Sequence, residues 1–135
     1  MRESVDEMSD EGTDTLIYDW NEQERRGALL TKTPPFVDES IRDGIQSPSV
    51  RDPSIEQKME LVRLMDSLGI HVVNLGLPGA GKRAQDDVEA LLRMIVEEKL
   101  SIRPNCAART IAADIEPIID ISQRVGMPIE VTAFI

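Results

Sequence analysis

The strongest constraint on this chain is a theme that recurs from residue 35 onward: an apolar run, then a helical pattern. The runs are Phe36–Ile41, His71–Leu75, Ile102–Ala108 and Pro128–Ile135. Their spacing is close to thirty residues, the measure of a βαβ unit. Between the first two, Ile55, Met59, Val62, Met65 and Leu68 fall on one helical face. Asp52-Pro53 reads as an N-cap with a first-turn proline, and Gly69 as the stop. The second helix turns Val88, Leu91, Leu92, Ile95 and Val96 inward. The third turns Ile115, Ile118, Ile119, Ser122 and Val125 inward and stops at Gly126. The order is β-α-β-α-β-α-β, an α/β fold with a parallel sheet. Both a doubly wound sheet and a (β/α)₈ barrel satisfy it, and both place functional groups at the C-terminal strand ends.

The length of 135 residues suits one ordinary domain. Acidic residues number 25 against 15 basic ones, and the net charge of −10 argues against a nucleic-acid or anionic-membrane surface. No apolar stretch approaches the ~18 residues of a membrane span, and no signal-peptide pattern opens the chain. A single cysteine, Cys106, allows no internal disulfide and fits a cytoplasmic setting. Residues 1–14 are acidic and nearly devoid of apolar side chains, and read as a disordered tail. Residues 15–34, with "LIYDW", read as an arm, packed either on its own domain or on a partner chain. Residues 35–135 carry the repeat.

The first strand runs into "DESIRDGIQSPS", residues 38–49, which sets Arg42, Asp43 and Gln46 at a strand end. A carboxylate there can hold a hard divalent cation, and an adjacent guanidinium can stabilise charge on a substrate oxygen. An Arg–Asp ion pair in a surface turn fits the same spacing. After the second strand, "NLGLPGAGKR" matches G-x-x-x-x-G-K of a phosphate-binding loop. Arg83 stands where Ser or Thr would hold Mg²⁺, however, and Pro78 removes an N–H donor. Arg109, past the third strand, reads either as a clamp for a substrate carboxylate or as a surface residue capping the next helix. Cys106 reads as a small core residue, since no histidine is positioned to activate it.

The stretch 38–49 resembles the opening signature of the 2-isopropylmalate synthase and homocitrate synthase family, D-x-x-[LI]-R-D-G-x-Q-S-P. "SIEQKMELVRLMDSLGIHVVNLGLP" and "RPNCAARTIAADIEPIIDISQRVG" resemble its next helix and strand segments in the same order. The resemblance covers about residues 35–135. It implies the N-terminal half of a metal-dependent TIM barrel whose reaction is a Claisen-type condensation of acetyl-CoA with a 2-oxo acid, as in leucine and related amino-acid biosynthesis. It also implies Asp43 as a ligand of Mg²⁺ or Mn²⁺, Arg42 as the residue that neutralises the substrate oxygen, and Gln46 as lining the substrate pocket. Asn74, at a position where the family usually has Glu, and Arg109, by its place past the third strand, are the further substrate-binding candidates. In this alignment "GLPGAGKR" is merely the loop after the second strand.

Two departures from the family pattern matter. Asn74 stands where the family usually has Glu, and the family's late His-x-His metal pair has no counterpart, because the one histidine, His71, opens the second strand. One protein ligand holds a divalent ion poorly, so metal binding by this chain is expected to be weak or absent. A complete barrel takes about 250 residues, and four of eight strands are legible here. The expectation is a truncated, inactive half-barrel with its inward side chains unmatched, stabilised by pairing into a homodimer. A non-catalytic assembly module, a carbon–carbon lyase on the same barrel, and a nucleotide-binding domain are the alternatives.

Overall fold

The computed structural model describes residues 34–135. The expectations for residues 1–14 and for the arm, up to residue 33, lie outside them. Four strands alternate with three helices: β1 Val37–Asp38, α1 Ile55–Ser67, β2 Val72–Asn74, α2 Lys82–Glu97, β3 Arg103–Arg109, α3 Ala112–Val125 and β4 Glu130–Phe134. All neighbours pair in parallel, in the order β1-β2-β3-β4. The alternation read from the sequence is thus an α/β fold with a parallel sheet.

The helices share one core with one face of the sheet. Val73 and Leu75 of β2 and its exit, and Cys106 and Ala108 of β3, cluster with Val62, Leu91, Leu92, Ile95, Ile118 and Ile121. Side chains alternate along a strand, so Val72, Asn74, Asn105 and Ala107 lie on the opposite face. Val72, Asn74 and Ala107 are nevertheless buried. The expectation of unmatched inward side chains is corrected for these two central strands. The deficit lies at the sheet edges, where every residue of β4 is exposed, as are Val37 of β1 and Phe36 just before it.

Local chemistry explains the helix limits. The N-cap of α1 is Ser54, not Asp52. Its hydroxyl accepts from Gln57 N at 3.3 Å, while Gln57 Oε1 accepts from Ser54 N at 2.9 Å, a reciprocal capping box. Gly69 and Gly126 follow α1 and α3 in the left-handed region, at φ 79° and 76°, where glycine carries no Cβ penalty. Three expected inward residues are exposed instead: Leu68, past the last turn of α1, Val96 on α2 and Ile119 on α3. On α3 the buried stripe is Asp114, Ile118 and Ile121.

Candidate functional site

The loop after β1 is a tight turn. Arg42, Asp43 and Gly44 all donate their backbone N–H to Glu39 O, at 3.1, 2.8 and 3.2 Å. A 3₁₀ turn, Gly44–Gln46, continues it. Ile41 anchors the turn in the core at 2% exposure. Arg42 is thereby sent across the strand ends. Its Nη1 donates to Asp43 Oδ1 at 2.7 Å, and its guanidinium carbon lies 6.0 Å from the ring centre of Phe134, at the end of β4. The Arg42 Nε–H is buried and has no hydrogen-bond acceptor among the described residues.

Asn74 closes β2 with its side chain fully buried. Its Oδ1 accepts from Gly76 N at 3.2 Å, and this bond assigns the amide orientation. The other end, Nδ2, is likewise buried without an acceptor. Arg109 closes β3, but its guanidinium is committed: Nε and Nη2 each donate to the Asp114 carboxylate at 2.8 Å, and Arg109 N donates to Asp114 Oδ2 at 3.1 Å. The Arg109 guanidinium therefore holds Asp114 below the usual carboxylate range. The pair ties the end of β3 to the first turn of α3.

One glycine of the glycine-rich loop, Gly79, faces the same carboxylate. A Cβ built on Gly79 would lie 2.4 Å from both Asp114 Cγ and Oδ1, so glycine lets the loop close over Asp114. A phosphate cradle collects N–H donors around an anion, whereas this turn has a carboxylate against it. Lys82 pairs with Asp86, and Arg83 with Asp52.

A cavity of about 260 Å³ lies among the loops after β1 and β2 and the starts of α1 and α2. Its lining includes Ile41, Arg42, Gln46, Leu75, Leu77 and Lys58, but neither Asn74 nor Arg109. Lys58 is the charged group that sequence reasoning missed. It is 5% exposed and donates to Asp52 and Asp87, at 2.8 Å each. Burial works against its charge, but the two carboxylates outweigh burial and hold its pKa above the ordinary lysine value. The available signal was positional, since Lys58 falls on the buried stripe with Val62 and Met65.

Two other residues keep structural places. His71 Nδ1 accepts from Phe36 N at 3.1 Å, which ties the entry of β2 to β1. Cys106 is fully buried, and burial pushes its thiol up to about 12, too high for a nucleophile at neutral pH.

The residues do not fit a divalent ion. Asp43 is one oxygen donor, its side chain is 67% exposed, and it is already paired with Arg42. Among the described residues no group of three or more His, Cys, Asp or Glu is placed to hold a metal. The two buried side-chain atoms without a hydrogen-bond partner among the described residues, Arg42 Nε and Asn74 Nδ2, are N–H donors, which repel a cation and attract an oxygen acceptor. Among the described residues no helix is long and apolar enough to cross a membrane.

Comparison with known proteins gives one consistent set of relatives. The chain is 35% identical over 83 residues to the homocitrate synthase AksA of Methanopyrus kandleri, covering 62% of this chain and 20% of that protein. It is 34% identical over 92 residues to the 2-isopropylmalate synthase of Xylella fastidiosa, covering 64% of this chain and 16% of that protein. A 2-isopropylmalate synthase of Caulobacter vibrioides is 32% identical over 92 residues, covering 67% of this chain and 16% of its own length. The chain thus spans about a fifth or less of the length of these curated relatives. No family model matches the chain, and no solved structure does. The resemblance read from residues 38–49 and the segments after them is borne out: the chain is similar to proteins named 2-isopropylmalate synthase and homocitrate synthase.

Proposed function

We propose that residues 35–135 are the first half of the wall of a (β/α)₈ barrel and carry the substrate-facing strand ends of an acyltransferase of the 2-isopropylmalate synthase type. The observation that carries this reading is Arg42, delivered by the R-D-G-x-Q-S-P signature and folded across the strand ends onto Phe134. The relatives' names point to the same condensation. Two features of the sheet support the half-wall. Strands run in sequential order, with the helices sharing a core on one face, as a barrel wall requires. The ladder is also staggered. Val37 of β1 lies in the row of Val72 and Arg103, whereas Thr132, central in β4, lies in the row of Ala107. The climb from Arg103 to Ala107 amounts to about one residue per strand, the shear of eight over eight strands.

The reaction is a Claisen-type condensation of acetyl-CoA with a 2-oxo acid. A base takes a proton from the acetyl methyl group, the enolate carbon attacks the keto carbon, the keto oxygen takes up a proton, and water hydrolyses the thioester to a carboxylate and the free thiol. Arg42 stabilises the negative charge that develops on the substrate oxygen. The Gln46 amide faces the substrate from the same loop. Asp43 orients the guanidinium through its 2.7 Å bond. No step here runs through a metal, since Asp43 alone cannot hold one firmly. The 135-residue chain by itself therefore binds the 2-oxo acid without turning it over.

The test is a titration of the purified chain with a panel of 2-oxo acids, beside a free-thiol assay with acetyl-CoA. Saturable 2-oxo acid binding without thiol release is the expected result. Saturable binding of a nucleotide but of no 2-oxo acid would sink the acyltransferase reading. Thiol release at enzymatic rates would sink the inactivity of the isolated chain.

A further inference from the structure

We infer that Asn74 Nδ2 donates to the carboxylate of the 2-oxo acid and works with the Arg42 guanidinium in holding it. The inference rests on the function proposed above and adds the residue that reads the carboxylate.

The first argument is an open valence. A buried amide donor without an acceptor forfeits its hydration uncompensated, and native chains retain few of them. Asn74 is fully buried, and its Oδ1 is spent on Gly76 N. Flipping the amide would set an NH₂ group against that N–H, so the orphaned end is the donor. The second donor without a hydrogen-bond acceptor among the described residues is Arg42 Nε, which has Glu39 Oε2 3.9 Å away as an ion-pair partner. Both therefore ask for the same ligand chemistry, an oxygen acceptor, preferably anionic.

The second argument is placement. Asn74 pairs in register with Asn105, so both side chains lie on the face away from the helices. On that face Asn105 Oδ1 is already satisfied by Thr132 Oγ1, at 3.1 Å. Arg42 leaves the loop after β1 and reaches Phe134 at the end of β4. Because the sheet order is β1-β2-β3-β4, that path crosses the end of β2, which is Asn74. The guanidinium and this amide, which has no acceptor among the described residues, thus belong to the ends of neighbouring strands. Arg109 does not compete for the carboxylate, being held by Asp114.

The experiment uses the ¹⁵N-labelled full chain, titrated with 2-oxoisovalerate and, in parallel arms, isovalerate and inorganic phosphate. The Asn74 side-chain amide pair is expected to shift and saturate with both carboxylates but not with phosphate. Asn74→Asp keeps an oxygen for Gly76 N and removes the donor, so binding is expected to weaken at least tenfold. Carboxylate binding that leaves the Asn74 amide unmoved, or that Asn74→Asp changes by less than twofold, overturns this inference alone. Saturation by phosphate with an equal shift of the Asn74 amide overturns the assignment to a carboxylate. Absence of any 2-oxo acid binding overturns both this inference and the proposed function.

Discussion

The carboxyl group of Asp114 occupies the space that a side chain on Gly79 would need, with Cγ and Oδ1 2.4 Å from an ideal Cβ. That contact fixes the loop after β2 on the first turn of α3. Gly79→Ala must displace either a buried carboxylate bonded to Arg109 or the loop backbone. Overpacking of this kind costs about 1–3 kcal/mol. Chemical denaturation should show a loss in that range, and Gly79→Ala within about 0.5 kcal/mol of the parent chain would contradict the contact.

Lys58 joins α1 to α2 and to the loop before α1, through Asp87 and Asp52. Lys58→Met keeps the aliphatic bulk but strands the Asp87 carboxylate and leaves Asp52 with Arg83 alone. Breaking a fully buried pair costs ~3–5 kcal/mol. Asp52 and Asp87 keep 37% and 23% side-chain exposure, so water recovers part of the loss. The expected destabilisation is about 2 kcal/mol. Restoring stability in Lys58→Met by adding Asp52→Asn and Asp87→Asn would show that the stranded charges, not lost packing, carry the effect.

Much of this architecture is legible in the sequence because strand and helix periods report burial directly. The alternation of elements, the stops at Gly69 and Gly126 and the inward Val88, Leu91, Leu92 and Ile95 follow from that rule. Errors arose where apolar residues outnumber buried positions. Ile119 and Ile121 both suit α3, and only the spacing from Ile118 puts Ile121 inside. Asp52-Pro53 offers a stronger local cap pattern than Ser54, yet Asp52 serves Lys58 and Arg83 instead. Charged residues on buried stripes, Lys58 and Asp114, were hidden by their type. Arg42, Asp43, Gln46, Asn74 and Arg109 could all be named from strand ends and the family signature. Which of their polar atoms are already spent is a matter of tertiary contacts. The Arg109–Asp114 pair and the orphaned Asn74 Nδ2 therefore appear only in the fold.

Acid should loosen the packing of α2 on α3. Glu89 accepts from Arg124 and Arg93, at 2.7 Å each, and these guanidinium groups lower its pKa from 4.5 to about 2. A depressed carboxylate contributes stability above its unfolded pKa, and the contribution fades as pH falls through the folded value. The window is therefore from about pH 4.5 down to about 2. The carboxylate keeps 22% exposure, so the effect is that of a surface network, about 0.2–1 kcal/mol. Glu89→Gln should lower the melting temperature at pH 7 and match the parent chain near pH 2. An equal deficit at both pH values would mean that Glu89 acts through packing rather than charge.

The last prediction concerns the open edge of the sheet. Every residue of β4 is exposed, Val131 and Phe134 by 42% and 38%, and Val37 of β1 and Phe36 just before it are exposed by more than half. Unpaired edges bearing apolar side chains are templates for another strand. If β4 of one copy pairs in parallel with β1 of a second, the four-residue stagger sets Thr132 opposite Val37 of the other copy and closes an eight-stranded ring. Folding is then linked to association, and the melting temperature rises with protein concentration. Calorimetry over a hundredfold range of concentration should show that rise, with a mass by light scattering near twice that of the chain. Val131→Lys places a charge on the pairing edge and should abolish the dependence while leaving the monomer's helical content intact. A melting temperature independent of concentration, with a monomeric mass throughout, would show that these edges are not joined by a second copy.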